Sequence, residues 1–518
     1  MQKTGVVREP RVHNPDQAIQ SDPISRRVWW LFVLIVIGVL LIRVPVMFRE
    51  PGEMDEECYA VPGLTVLQTG IPKMPHIPGR SEQSVFYHAD EILFAEPPVL
   101  FYLQAIFYAI LPPVYGTARM ATLAAGIGAL GFMWAISRRW LGGWVAAVWA
   151  VGLFANARWF FLHAIRARPD MLCSMFGIAA MWAVFHWRET GKPRWLVLAG
   201  VMIGLGGLTH PFALAYAVPI ALWVMYESRG INRLWFPGLL ALVSILTASS
   251  WLLLIVQSPE IFWVQFRNQF LNPYDPLPDR IATPWHFWWF HAGIMLDQIK
   301  PWQYFLAVGP LTFCTFFGSK ETRIIACISW ASMALIAFMV GTHHAVAGYF
   351  TFPSGLMFLC TGWCIHQLSR FLPRIGSRYQ VVTVAAAIAL MMSMIPISRL
   401  GTLLVHLENW NSINFNAPRF AQMVMADIPQ DSLCAVDSEF LLDFVAARRK
   451  VILARHEKVT IEGNLLPVDF IIGSRMAIEN KIYIKHMPSE IIRTYGDFPN
   501  LYSCFAEVRI PTHVPPKQ

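Results

Sequence analysis

The chain has 518 residues, 55% of them hydrophobic and only 14% charged, where a soluble globular chain carries roughly 25% charge. Formal net charge is +8, but the Lys and Arg stand in short clusters. This balance excludes an ordinary soluble enzyme, gives no support to nucleic-acid binding, and predicts an all-α polytopic membrane protein.

Residues 1–28 read as a polar cytoplasmic tail. The apolar run from Trp29 to Phe48 is too long for a signal-peptide core and lacks a small-residue cleavage site, so it is expected to be a retained first span. Further spans are expected at 117–136, 142–162, 170–187, 195–209, 211–226, 235–256, 301–317, 324–340, 346–368 and 379–398, about eleven transmembrane helices in all. The basic loops are Arg26/Arg27; Arg138/Arg139; Arg188, Lys192 and Arg194; Arg229/Arg233; Lys320/Arg323; and Arg370, Arg374 and Arg378. Two spans separate each loop from the next, so all six fit on the cytoplasmic side, with the C-terminus outside.

Two runs are ambiguous. Residues 195–226 read as two spans broken near His210-Pro211, because proline interrupts a helix. Residues 97–112 are apolar but only about 24 Å long as a helix, against a core of roughly 30 Å. They read as a helix in the outer interface, with a re-entrant span as the alternative.

The outer side then holds 49–116, the turn 163–169, the aromatic segment 257–300, the turn 341–345 and the C-terminal 400–518. Residues 29–399 form the transmembrane domain. The C-terminal segment alternates strand-like runs (433–436, 450–453, 468–472, 482–484) with helical ones (417–427, 439–448) and predicts a small soluble α/β domain. It contains no recognisable motif. Of eight scattered Cys, Cys434 and Cys504 fall in this domain, and sequence alone leaves open whether they are bonded.

Candidate chemistry gathers on the outer side. Asp55 and Glu56 follow the first span within Glu53-Met54-Asp55-Glu56-Glu57. They read either as a solvated acidic cap or as a general base with a neighbour that positions an acceptor. Arg166-Ala167-Arg168-Pro169-Asp170 places two arginines on the side that should be poor in them. Snorkelling side chains are one reading and an anion site the other. Asp170 opens a span, where capping competes with catalysis. His210 sits at a helix break, as a structural or a functional histidine. His343 and His344 lack a spaced third ligand, so no metal site is assigned and a divalent metal is not favoured. The aromatic stretch 262–290 suits an interfacial belt, a groove for a lipid-linked substrate, or both.

The ordered set of these segments resembles the GT-C fold glycosyltransferases, specifically family 39, which includes protein O-mannosyltransferases and the lipid A aminoarabinose transferase. The Asp55-Glu56 pair follows span one, and Glu96-Pro97-Pro98-Val99-Leu100-Phe101-Tyr102 looks like the family's xPPLxYY segment. Arg119 leads the next span and Arg138-Arg139 closes it. Arg168-Pro169-Asp170-Met171 is similar to the acidic motif of the following outer turn. Leu208-Thr209-His210-Pro211 stands where many members have Thr-Lys-Gly or Thr-Lys-Pro, and Tyr349-Phe350-Thr351-Phe352-Pro353 resembles the late tyrosine-proline segment. His210 replaces a lysine, and Val99 and Phe101 depart from the pattern.

The resemblance implies an inverting transferase of the bacterial inner membrane. It would move a sugar from a polyprenyl-phosphate donor, undecaprenyl phosphate-linked, to a lipid, glycan or protein acceptor. It implies Asp55, Glu56 and Asp170 as catalytic. Arg166, Arg168 and His210 are then expected at the donor phosphate, and Glu96, Tyr102 and Tyr349 near substrate; His343 and His344, which have no secure counterpart in the family, are expected near substrate from their outer turn alone. The competing readings are a transporter or flippase of a lipid-linked substrate and a non-catalytic accessory subunit. A transporter would carry ionisable groups on broken helices at the bilayer midplane, often in repeated halves.

Overall fold

The computed structural model describes residues 23–53, 55–271, 277–298, 301–341, 349, 351–370, 397–454, 460–461, 464–465, 467–479, 489–498, 500 and 502–512. The first part is helical. In chain order it comprises α1 (Pro23–Met47), α2 (Glu57–Thr69), α3 (Val99–Tyr108), α4 (Tyr115–Trp140), α5 (Trp144–Asn156), α6 (Arg158–His163), α7 (Asp170–Thr190), α8 (Arg194–Gly207) and α9 (Leu214–Glu227). It continues with α10 (Asn232–Ala248), α11 (Leu252–Ile255), α12 (Pro259–Phe266), α13 (Leu277–Ala282), α14 (Pro284–Gln298), α15 (Pro301–Phe317), α16 (Lys320–Val340) and α17 (Thr351–Ser369).

Helices occupy the described part of every predicted span down to 346–368; of the last span, 379–398, residues 379–396 lie outside the described residues, as do 346–348 and 350. Among the described residues, five stretches are each long and apolar enough to cross a membrane: Trp29–Met47, Tyr115–Trp140, Asp170–Thr190, Asn232–Ile255 and Lys320–Val340. The run 142–162 is broken at Ala157, and 195–226 is broken at His210, as the proline predicted. The helix in 97–112 is shorter than its apolar run. Its ten residues rise only about 15 Å, half a hydrocarbon core. It packs on α2 and α4. α2, a second helix within the outer loop 49–116, where juxtamembrane helices were expected, opens on Glu57 and is mostly buried.

Burial varies along the bundle. α7 is enclosed, with 83% of its apolar window buried, whereas only 11% of the 232–255 window is. An apolar helix with so much exposed surface suits contact with lipid chains.

The C-terminal part opens with an amphipathic helix, Ile397–Glu408, against α1. Helices Ala417–Ala426 and Ser438–Ala446 follow, packed on a five-stranded sheet ordered β2-β1-β5-β7-β6. β1 (Leu433–Val436) pairs in parallel with β2 (Lys450–Leu453) and β5 (Phe470–Ser474), while β7 (Phe505–Pro511) is antiparallel to β5 and β6 (Ser489–Gly496). β3 (Thr460–Ile461) and β4 (Asn464–Leu465) form a separate small pair. The interior strand β1, flanked by β2 and β5, is almost wholly buried, which accounts for its continuous apolar run. β6 and β7 were not read from sequence, and 482–484 lies outside the described residues. Cys434 and Cys504 are free, buried thiols. Cys434 is on β1 and Cys504 immediately precedes β7, with β5 between them. Two strand spacings come to about 9–10 Å, too far for a disulfide.

This domain is fastened to the loop that follows α1. Arg49 donates to the carbonyls of Trp410 and Phe415, at 2.6 and 3.0 Å, and stacks on the Trp410 ring. Gly52 N donates to the Glu439 carbonyl, and Tyr115 Oη donates to that of Ser438. A Cβ on Gly52 would overlap the Tyr115 ring and the Ser438 carbonyl, so only glycine permits this approach.

Candidate active site

The site is built where α1, α4, α7, α8 and α17 end or begin together. Glu56 organises it. Both its oxygens are occupied: Arg119 Nε donates to Oε1 at 3.0 Å and Nη2 to Oε2 at 2.5 Å. The Ala167 and Glu53 amides donate to Oε1 and Oε2 at 2.7 and 2.8 Å. Arg119 also donates to the carbonyls of Met47, Glu50 and Pro51. Glu56 and Arg119 are 0% and 2% exposed. Burial alone would raise the Glu56 carboxyl. Arg119 and the two amides overcome it and hold the group below its ordinary value. Glu56, expected as a catalytic partner of Asp55, thus joins the loop after α1 to the start of α4 and to the turn 164–169.

Asp55 is held differently. Its backbone is left-handed, φ +74°, a conformation that aspartate tolerates better than most residues but that still carries strain. Its side chain is 47% exposed. Arg168 lies between Asp55 and Asp170: Nη1 is 3.1 Å from Asp55 Oδ2, and Nε is 3.1 Å from Asp170 Oδ2. Asp170 is fully buried at the start of α7, with His163 Nδ1 3.5 Å away. A buried carboxylate thus fixes the guanidinium from behind while an exposed one meets it in front. Arg166 pairs instead with Glu53 and remains partly exposed.

His210 caps its own break: Nδ1 accepts from the Phe212 amide at 3.1 Å. In the neutral ring this leaves Nε2 as the N–H donor. The ring packs against Phe212 and Phe352, and Phe212 meets the ring of Tyr349 edge-on. Tyr349 is therefore brought to the His210 wall.

Glu96 enters from the first outer loop and accepts from Tyr59 Oη at 3.3 Å. Tyr102 is not brought to this cluster. Its hydroxyl donates to the Gly70 carbonyl at the end of α2, and its side chain faces outward from α3. His343 and His344 lie outside the described residues. Among the described residues, no three His, Cys, Asp or Glu side chains gather closely enough to ligate a metal ion.

Burial lifts the Glu96 carboxyl from its ordinary 4.5 to about 7, with Arg168 and Tyr59 opposing and Asp170 and Asp55 adding to the rise. Burial likewise raises Asp443, on helix Ser438–Ala446, to about 7, opposed by Arg119. The folded state therefore binds protons that the unfolded state has released. These two groups contribute stability that is lost as pH rises from about 4.5 to about 7, opposed by His210, whose burial lowers its imidazole to about 4 and adds stability as pH rises. Thermal unfolding across this window should show the carboxyl contribution as a difference: Glu96→Gln and Asp443→Asn should each gain stability relative to the parent protein as pH rises from about 4.5 to about 7.

Sequence reading missed four contributors. Glu53, Tyr59 and His163 are ordinary residues in unpatterned places. Gln265 did leave a signal, as a lone amide in the apolar run Ile261–Phe266. It is fully buried and uses all four of its hydrogen-bonding positions. Oε1 accepts from the Phe94 and Ala95 amides at 2.7 and 2.8 Å, and Nε2 donates to the Tyr87 and Ile92 carbonyls at 2.7 and 3.0 Å. Phe94 and Ala95 lead directly into Glu96. Phe94 also packs edge-on against Phe262 of α12. Gln265→Leu would strand buried amides and carbonyls, each worth about 1–3 kcal/mol. Amide exchange at Phe94 and Ala95 should speed up by at least tenfold in that variant.

Residues 95–254 match the family described as dolichyl-phosphate-mannose-protein mannosyltransferase. The chain is 25% identical over 331 residues to an undecaprenyl phosphate-alpha-4-amino-4-deoxy-L-arabinose arabinosyl transferase of Serratia proteamaculans, covering 60% of this chain and 55% of that one. The same-named transferase of Enterobacter sp. is 23% identical over 318 residues, covering 60% of this chain and 54% of that protein. The chain thus spans about half the length of the curated relatives it matches. The crystal structure of ArnT from Cupriavidus metallidurans in the apo state superposes with a TM-score of 0.60 at 12% identity, over 94% of this chain and 98% of that one.

The chain has the GT-C fold of the ArnT and protein-mannosyltransferase type. The same ArnT bound to undecaprenyl phosphate superposes with a TM-score of 0.57 at 13% identity, over 94% of this chain and 99% of that one. The GT-C likeness extends over the C-terminal α/β domain as well as the helical bundle. The family match opens at residue 95, next to Glu96, and takes in Arg119, Arg166, Arg168, Asp170 and His210.

Proposed function

We propose that this GT-C chain is an inverting membrane glycosyltransferase. It transfers a sugar from a polyprenyl-phosphate donor to a lipid, glycan or protein acceptor on the outer face of the membrane. The observation that carries the reading is the Arg168 guanidinium suspended between an exposed and a buried carboxylate at the mouth of the bundle. Such a cation, backed by Asp170, is preorganised for the negative charge that grows on a leaving phosphate, where fixed donors help most. Arg166 and the Nε2–H of His210 are assigned to the same phosphate.

Asp55 is the half-exposed carboxylate of the cluster, and we assign it the acceptor. It takes the acceptor's proton, or orients the acceptor, as the new glycosidic bond forms. Opposite it, the bond from the sugar to the phosphate oxygen breaks, and the electron pair leaves with the polyprenyl phosphate. A single displacement inverts the anomeric centre and forms no sugar–enzyme intermediate. Glu56 is assigned to holding the site together, since both of its oxygens are already engaged.

The membrane is read as a bacterial inner membrane and the donor lipid as undecaprenyl phosphate. The similarity to the undecaprenyl-phosphate arabinosyl transferases of Serratia proteamaculans and Enterobacter sp., and to ArnT bound to undecaprenyl phosphate, supports that choice. Eleven spans, a cytoplasmic N-terminus and an outer α/β domain complete the proposal. The basic residues Arg139, Arg188 and Lys320 stand at helix ends remote from Asp55, Glu56 and Asp170, each paired with a glutamate there, which supports this orientation. The test is to supply labelled undecaprenyl-phosphate sugars and a membrane extract to the purified protein. Label should move to a new acceptor with inverted configuration. Retained configuration, or a labelled protein intermediate, would overturn the mechanism.

A further inference from the structure

The opposite end of the bundle holds a second polar centre. α7 runs from Asp170 to Thr190, and its 21 residues rise about 30 Å, one membrane core. At its far end Arg188 contacts Glu227 and Glu321 at 3.4 and 3.0 Å, and Lys320 contacts Glu227 at 2.9 Å. Two carboxylates thus compensate two cations across α7, α9 and α16.

Arg229 and Arg233 stand beside this network. Among the described residues neither makes an ion pair, and both are exposed. With Lys320 and Glu227 they line a cavity of about 540 Å³. Arg233 lies in the first turn of α10, which contains no acidic residue, so the helix dipole adds to the uncompensated positive charge. The chain around the two arginines forms an apolar border: Tyr226 lines the cavity itself, and Ile231, Leu234 and Trp235 flank Arg233 in sequence. Tyr226, Ile231, Leu234 and Trp235 are 71%, 79%, 72% and 61% exposed. Water-facing apolar side chains in this number are costly, whereas at a membrane interface they meet acyl chains and headgroups.

We propose that this cavity binds the phosphate headgroup of an anionic phospholipid, in the leaflet opposite the catalytic cluster. Arg229 and Arg233 hold the phosphate, and Tyr226, Ile231, Leu234 and Trp235 lie along the glycerol and upper acyl chains. Basic pockets between transmembrane helices take headgroups of this kind. The fixed guanidinium fork suits a phosphate better than an ammonium would. A soluble phosphate ester shares the headgroup chemistry but has no use for the apolar border, which is why the lipid is preferred. The site is independent of the sugar-transfer reading.

The experiment uses the full chain in nanodiscs of phosphatidylcholine alone or with 30% phosphatidylglycerol, at constant ionic strength. Phosphatidylglycerol should raise the unfolding midpoint by about 2 °C or more, since a ligand of the folded state stabilises it. Arg229→Gln/Arg233→Gln should lose the rise, while Arg194→Gln, an exposed cation outside the cavity, should keep it. The two single variants keep the test readable if the double variant fails to fold. An undiminished rise in the Arg229 and Arg233 variants overturns the proposal, as does an equal loss in Arg194→Gln. Inorganic phosphate added to phosphatidylcholine discs should have no effect. A phosphate rise lost in Arg229→Gln/Arg233→Gln, with none from phosphatidylglycerol, would assign the cavity to a soluble phosphate ester and overturn the lipid.

Discussion

Asp55→Asn is expected to lower sugar transfer by about 10²–10⁴-fold, the range for loss of a positioned general base, while the unfolding temperature stays nearly unchanged. The two halves of this expectation have separate causes. Asparagine keeps the shape of aspartate and accepts the left-handed backbone that Asp55 adopts, so the loop has no reason to rearrange. The ion pair it loses, with Arg168, is 47% exposed on the aspartate side, and exposed pairs contribute little stability. What disappears is the negative charge to which the proposed mechanism assigns the acceptor proton. Purified protein, with rates and unfolding midpoints measured side by side, checks both halves. A stable variant with undiminished transfer would remove Asp55 from the chemistry.

Arg119→Met is expected to do the reverse, destabilising the fold by about 3–5 kcal/mol, as removal of one partner from a buried pair does. Glu56 would be left charged and fully enclosed, and the carbonyls of Met47, Glu50 and Pro51 would lose their donor. Arg119→Lys should recover little, because an ammonium cannot bridge both Glu56 oxygens and three carbonyls at once. Arg119→Met/Glu56→Leu should be more stable than Arg119→Met alone, since it removes the stranded charge as well. Thermal unfolding in a fixed detergent measures all three. Arg119→Met with a wild-type midpoint would refute the fastening role given to the pair.

These expectations draw a line through Asp55-Glu56 that sequence could not draw. Adjacent acids look alike in a string of letters. They differ because Glu56 turns inward to a guanidinium 63 positions away, whereas Asp55 takes the left-handed turn outward. The order of motifs along the chain was legible. Arg168-Pro169-Asp170 stands where expected, and the helix break falls at His210. Span positions were legible too, because lipid requires long apolar runs and proline marks their breaks.

Long-range pairings were not legible. Gly52 against Ser438 and Tyr115, or Gln265 against Phe94, depends on how distant segments dock, and periodicity carries no information about that. Tyr102 shows the limit of motif reading. It was expected near substrate from its place in the xPPLxYY-like segment, but its hydroxyl is engaged with Gly70. The strands β6 and β7 were missed for different reasons: β6 is exposed along most of its length and has no buried face to read, whereas the alternation Glu507-Val508-Arg509-Ile510 in β7 was a readable signal.

The most direct test of the account is the fate of the donor lipid. Wild-type protein reconstituted in vesicles would be given a panel of undecaprenyl-phosphate sugars, with free undecaprenyl phosphate measured against sugar transferred. The account predicts one undecaprenyl phosphate released for each sugar moved to an acceptor, with release abolished in Asp55→Asn. Donor that crosses the bilayer intact, with no undecaprenyl phosphate released from any sugar in the panel, would contradict it and identify a carrier of lipid-linked sugars.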